Sequence, residues 1–426
     1  MSYPDTYYKR TLSEAKVRPV LAESIDCDAV IVGGGLAGLT TALQLARAGR
    51  SVTVLEAESV GFGASGRNGG FVSAGYATGS EEIARHAGEA AAKDLHRLSM
   101  EGVDFIRDTI RDLSITGARP QTGILGVLRY DGGDSLRTYA DEIARTYGYE
   151  LEFYDRDRVR AVLKSQRYYQ GLRNPTAFHM HPLNYLRALA AEIERLGGRI
   201  YEQSAAESTD FSGPEKIVRT AKGTVRARDV VLTTGGYTGA LVGKLNRAFL
   251  PIATYVMVSE EAPDLIRQAI ATTDAIGDDR RAGDYYRVVD DGRRLLWGGR
   301  ITTRAASAEA LAKELRREMV GTYPQLKELK TELAWSGLMS YARHLMPQIG
   351  RLQPGVWYCT AFGGHGLNTT AIGGKVTAEG ILGASERYRL FEPFGLVWAG
   401  GIAGLAVAQL TYWKLQAQDW WRERAA

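Results

Sequence analysis

The run Ala29-Val30-Ile31-Val32 is apolar without alternation, as a parallel strand covered on both faces must be. Gly33-Gly34-Gly35 breaks it. Leu36, Leu39, Leu43 and Ala46 then recur at helical spacing, and Gly49 stops the pattern. A second strand, Ser51 to Leu55, ends at Glu56. Residues 1–28 before this unit read as an extended arm. After it, the spacing predicts a long helix over 80–112, a strand at 123–130 and helices at 134–147 and 155–162. Pro182 opens a helix over 181–196 that Gly197-Gly198 closes, and a strand follows at 200–203. A further apolar strand, Asp229 to Leu232, runs into Gly235-Gly236. Between 250 and 300 the pattern alternates, as in Tyr255-Val256-Met257-Val258, which predicts an antiparallel sheet. A helix over 305–319, a strand over 356–362 and a helix over 369–382 complete the order.

This order predicts two interleaved domains. A dinucleotide domain takes 1–85, 175–240 and 345–426, and a substrate domain takes 86–174 and 241–344. At 426 residues the chain is long enough for both. Hydrophobic content of 45% and charged content of 24% place it among ordinary globular proteins. A net charge of +4 with scattered basic residues argues against a nucleic-acid partner. Cys27 and Cys359 make neither a disulfide framework nor a metal-ligand spacing, and reduced thiols in the cytoplasm are expected. The N-terminus has no apolar secretion signal. Residues 394–413 are apolar over nearly a membrane span, but they include Gly395, Gly400, Gly401, Gly404 and Gln409. A buried terminal helix is expected there in preference to membrane contact.

The chemistry sits in the glycines. Gly33, Gly35 and Gly38 let a turn bend tightly, admit a pyrophosphate to the backbone and bring helix against strand. The N–H groups opened by Leu36 and Ala37 favour the anion. Glu56, followed by Ala57, stands about 20 residues on, where a carboxylate accepts ribose hydroxyls. A nicotinamide dinucleotide needs no further glycine loops. Here three more follow, at 61–70, 233–236 and 363–368. They suit FAD, whose flavin needs backbone contacts far from the pyrophosphate. The cofactor candidates are therefore Gly63, Ala64, Ser65, Gly66, Arg67, Asn68, Gly69, Gly70, Gly235, Gly364, His365, Gly366, Leu367 and Asn368, with the first-turn residues. The expected fold is α/β, with a Rossmann-type FAD-binding domain interleaved with an antiparallel-sheet α+β substrate domain.

The runs Val32 to Leu39, Leu55-Glu56-Ala57 and Gly63 to Gly70 resemble the D-amino-acid-oxidase-type FAD oxidoreductases. Within them the chain most resembles the γ-glutamylputrescine oxidase branch, which shares the Tyr7-Tyr8 arm. The likeness extends to Trp297-Gly298-Gly299-Arg300, Trp335-Ser336-Gly337 and Gly363-Gly364-His365-Gly366. The resemblance implies oxidation of a small-molecule amine or amino acid at a C–N bond, with hydride passing to flavin N5, hydrolysis of the imine and reoxidation by O₂ to give peroxide. Sarcosine-oxidase relatives attach flavin to a cysteine in the late glycine region. Here that loop carries His365, and non-covalent FAD is expected.

His365, Arg300 and Trp335 are the catalytic candidates. His365 lies in the flavin-side loop. Arg287, Arg300 and Arg343 are candidate clamps for a substrate carboxylate. Tyr255, Tyr285, Tyr286, Trp297 and Trp335 are candidates for an aromatic wall around an amine. His179 and His181 lack an acidic partner nearby, so a helix-start role is expected and no metal site. Two other readings stand beside the amine oxidase: a flavin dehydrogenase serving a quinone or carrier, and a non-catalytic flavoprotein.

Overall fold

The computed structural model describes residues 3–280, 283–302 and 307–425, with side chains described at these except 300–302 and 425. Five parallel strands form the first sheet, in the order Val356–Thr360, Thr224–Leu232, Ser24–Val32, Val52–Leu55 and Arg199–Tyr201. Gln348–Gln353 pairs antiparallel at its outer edge. Ile31 packs into a core with helices Leu36–Arg47 and Leu367–Leu382, and Val30 and Val32 pack into a core on the other face. Both faces are covered, which is why the run does not alternate. This strand begins at Ser24 rather than Ala29, because Ile25, Asp26 and Cys27 continue the pairing with Val225, Arg226 and Ala227. The arm before it is not wholly extended: Tyr7–Arg10 is one helical turn, capped by Thr6.

The second sheet runs Thr331–Tyr341, Leu250–Ser259, Arg294–Thr302, Tyr285–Val289, Ala275–Asp278, Gln121–Val127, Gly171–His179 and Phe71–Val72. Its pairs are antiparallel except Ala275–Asp278 with Gln121–Val127. Helix Ala308–Thr322 covers one face through Leu311, Leu315 and Met319.

Two elements depart from the pattern. The helix expected over 80–112 is two, Ser80–Ala87 and Glu89–Asp112, because Gly88 takes a φ of +86°. Glu89–Asp112 packs in the core of the first sheet's helices, with Gly102 against Asn368. We propose the division at 85, 174, 240 and 344 as one that follows the two sheets apart from Phe71–Val72 and the end of Gly171–His179, which pair in the second sheet, and helix Glu89–Asp112, which shares the first core.

The segment from Phe394 to Trp413 is not a buried terminal helix. Helix Gly401–Ala425 lies outside both cores, and Ile402 is 89% exposed, Val407 62% and Leu410 61%. The cores are already closed by the helices named above. Ion pairs tie its far end to the body: Glu423 pairs with Arg129 at 2.9 Å and with Arg167 at 3.4 Å. Among the described residues, no helix is long and apolar enough to cross a membrane.

Candidate functional site

Four neighbouring parallel strands end on one edge of the first sheet, and each continues into a segment singled out by the sequence. Ser24–Val32 leads to Gly33–Gly38, Val52–Leu55 to Glu56, Thr224–Leu232 to Thr233–Gly236, and Val356–Thr360 to Gly363–Asn368. Ligands of open parallel sheets bind at such carboxyl ends.

The first turn shows why its glycines are glycines. Gly33 has a φ of +114°, and an added Cβ would stand 2.8 Å from Thr233 O. At Gly38 a Cβ would strike Gly33 O. At Gly35 it would meet only Ser65 Oγ, at 3.1 Å, so this position opens toward the loop instead of the core. Thr233 Oγ1 donates to Val32 O and Gly33 O and fixes the bend. Helices Leu36–Arg47 and Leu367–Leu382 start at Gly35 and Gly366 with no side-chain cap. Their first N–H groups are thus available to an anion, apart from Leu36 N, which Ser65 Oγ accepts at 3.0 Å. Glu56 accepts from Gly34 N at 2.7 Å and from Glu58 N at 2.9 Å. Desolvation pushes its carboxyl above the usual range, and those two hydrogen bonds oppose the shift. Arg67 stacks over Phe62, 4.2 Å from the ring centre, and keeps Nε and Nη2 buried without a partner. A backbone cradle with uncapped donors and a guanidinium satisfied only at Nη1, by Ser336 O, fits a bound dinucleotide.

The 61–70 loop joins the two sheets. Arg287, on Tyr285–Val289, donates Nε to Gly69 O at 2.7 Å and Nη2 to Met180 O at 2.9 Å and Tyr8 Oη at 3.1 Å. Its Nη1 lies 3.1 Å from His179 Nδ1, and His179 Nε2 faces Thr273 O at 2.8 Å. Tyr8 Oη in turn donates to Asn68 O at 2.7 Å. Arg287 is therefore a loop anchor, with four of its five N–H groups already engaged. Asn68 braces its own loop, giving Nδ2 to Ala64 O and Ser65 O and accepting from Gly70 N. Trp335 is buried behind the loop, with Nε1 donating to Arg67 O at 2.8 Å.

Strand Thr331–Tyr341 turns every second residue to these loops. Trp335 meets Arg67, Gly337 meets Ala64, and Met339 and Tyr341 meet Gly364. Tyr285 joins this side through Gly69. The expected aromatic wall is thus split. Tyr255, Tyr286 and Trp297 pack in the opposite core, with Tyr286 and Trp297 stacked at 4.1 Å. Burial pushes the phenols of Tyr285 and Tyr341 up, so both stay protonated.

His365 is half-buried with Nε2 3.0 Å from Ser73 O, and desolvation pushes its pKa down, which favours the neutral ring. Asn368 braces the 75–99 region through Gly75 O and Ser99 O. Arg343 is exposed, and the side chain of Arg300 lies outside the described residues. His181 caps its helix, with Nδ1 accepting from Asn184 N, while His179 serves Arg287. Among the described residues, no group of metal-ligating side chains forms. Sequence reading named Tyr8 only as part of the Tyr7-Tyr8 arm and missed its role, with those of Thr233 and Arg287. Tyr8 carries the one local signal, an aromatic pair in a polar arm.

The family model of FAD dependent oxidoreductases (DAO) matches residues 28–380. Gamma-glutamylputrescine oxidoreductase of Escherichia coli (strain K12) is 34% identical over 391 residues, 91% of each chain. The probable oxidoreductase OrdL of Haemophilus influenzae is 31% identical over 393 residues, covering 91% of this chain and 90% of the relative. The crystal structure of glycine oxidase from Bacillus cereus superposes with a TM-score of 0.70 at 22% identity, over 85% of this chain and 97% of that one. These likenesses agree with the two-sheet architecture and with the glycine edge. The chain belongs to the DAO family of FAD-dependent oxidoreductases, enzymes that act on C–N bonds of amines or amino acids.

Proposed function

We propose that this enzyme oxidises an amine, primary or secondary and of the γ-glutamylputrescine kind, with non-covalently held FAD. The observation that carries this choice is the fate of the arginines. Arg287 is committed to the 61–70 loop and Arg343 faces solvent, so neither of these two candidate clamps is held toward a buried substrate carboxylate. An α-amino acid needs such a clamp beside the reacting carbon, whereas an amine does not. The 34% identity to gamma-glutamylputrescine oxidoreductase supports the same class.

Bound FAD would supply the hydride acceptor at N5, and with O₂ as electron acceptor the overall products would be peroxide, an aldehyde and ammonia or an amine. In this reading Gly33 to Gly38 hold the pyrophosphate and Glu56 the ribose. Residues 65–70, Gly235 and 364–368 line the flavin. Tyr285 and Tyr341 hold protonated hydroxyls on an otherwise apolar wall and orient the neutral amine while water is excluded. Cys359 is 1% exposed within its strand, and burial pushes its thiol up to about 12, so it is unsuited to a covalent flavin bond.

The test is the product balance under air. Aldehyde, ammonia and peroxide in equal amounts from γ-glutamylputrescine support the proposal. Turnover that needs a quinone and yields no peroxide supports the dehydrogenase reading, which the exposed terminal helix favours. Yellow colour retained in an acid precipitate would contradict non-covalent FAD.

A further inference from the structure

Helix Gly401–Ala425 is apolar on two sides: Leu405, Ala408, Tyr412 and Leu415 are half-buried, and a second apolar stripe faces outward. Gln409 is buried at 8% exposure, and the helix's two carboxylates, Asp419 and Glu423, are half-buried. Outward stand Ile402, Val407, Leu410 and Trp421, each more than 60% exposed, with Trp398 just before the helix at 64%. A soluble helix places its apolar stripe inward. Here the aliphatic side chains are bracketed by tryptophans, the arrangement a lipid–water interface selects.

Cations stand at both ends of this face. Lys244, Arg247, Leu396 and Trp398 line a surface notch of about 420 Å³ at one end. Lys414 and Arg424 stand along the other half, with Arg424 over the Trp420 ring. Lys244, Arg247 and Lys414 form no ion pair among the described residues. A second copy is a poor occupant. Cations lie at both ends of the face, so a two-fold contact opposes like charges whichever way the helices run.

We propose that this face docks on a membrane surface carrying anionic headgroups. The helix lies in the interfacial plane and does not cross the bilayer. Trp398, Ile402, Val407, Leu410 and Trp421 enter the headgroup boundary, and Lys244, Arg247 and Lys414 meet lipid phosphates. The proposal stands apart from the choice of amine.

The experiment is flotation of the FAD-loaded enzyme with vesicles of phosphatidylcholine plus phosphatidylglycerol, and with phosphatidylcholine alone. Binding is expected to the first and to weaken with salt. The double variant Ile402→Asp/Val407→Asp is expected to bind about a hundredfold more weakly, since each aliphatic side chain kept from lipid costs about tenfold. Lys244→Glu/Arg247→Glu is expected to lose binding to the anionic vesicles at low salt. All variants should keep wild-type flavin absorbance and melting temperature, because the substituted residues lie outside both cores. No flotation by the wild type, or flotation untouched by both double variants, overturns the proposal. So does a concentration-dependent dimer that Ile402→Asp/Val407→Asp dissociates in the absence of vesicle binding.

Discussion

Replacing Arg287 by Met keeps the length of the stem and removes four polar contacts. Gly69 O and Met180 O are buried, and each loses its guanidinium donor. A buried carbonyl left without a partner costs about 1–3 kcal/mol, so the pair costs about 2–6 kcal/mol. Tyr8 Oη and His179 Nδ1 lose a neighbour as well. Removing the buried charge relieves its desolvation and offsets part of this, so the lower half of the range, about 2–4 kcal/mol, is expected. That is a large fraction of the roughly 5–15 kcal/mol that holds a protein folded. A fall in melting temperature of about 2–5 °C follows for a chain of this size. The loop that Arg287 anchors is also the proposed flavin loop, so FAD should be lost on dilution or gel filtration. Arg287→Lys should recover only part, because an ammonium cannot reproduce the planar fork. Thermal unfolding with and without excess FAD reads the first effect, and the flavin-to-protein absorbance ratio reads the second. If Arg287→Met keeps its FAD and its melting temperature and only KM rises, Arg287 is a substrate clamp and the reasoning is refuted.

Three further outcomes follow from single positions. Gly38→Ala should yield protein without FAD, or no folded protein, because the new Cβ strikes Gly33 O across the helix–strand contact; wild-type flavin content would sink that argument. His179 and His181 are pushed down to about 3 by desolvation, with Arg287 adding to the shift, so both are neutral when folded. Unfolded chains bind protons near the ordinary value of 6.5, so stability should fall as pH drops from about 6.5 toward 3. His181→Asn keeps a helix-capping side chain without titrating, and melting curves between pH 7.5 and pH 5, about one unit either side of the ordinary histidine value, should show a shallower pH slope. Gly364→Ala combines a φ of +86° with a clash against Tyr341 Oη, and kcat should fall about a hundredfold with FAD retained, because the pyrophosphate end is untouched. Unchanged kcat would remove that loop from the reacting face.

Much of the first sheet was legible because its signals are local. A non-alternating apolar run, glycines at the turn and an acid closing the next strand each report on neighbours in sequence. The 235 and 363–368 loops were legible for the same reason, since each follows its own apolar strand. What places them side by side is the order of strands, which no single segment encodes. The role of Arg287 was hidden because its partners come from residues 8, 69, 179 and 180. An arginine in an alternating strand looks the same whether it faces a substrate or a carbonyl. Tyr285 and Tyr286 are adjacent and face opposite cores, and only the pleat separates their roles. The terminal helix was misread because apolar content predicts burial only where a core remains to be filled.

Anaerobic mixing of the FAD-loaded enzyme with γ-glutamylputrescine, and separately with glycine and D-alanine, tests the central claim most directly. The account predicts rapid bleaching of the flavin by the amine and little or none by the two amino acids. Bleaching by the amino acids with no response to the amine would contradict it.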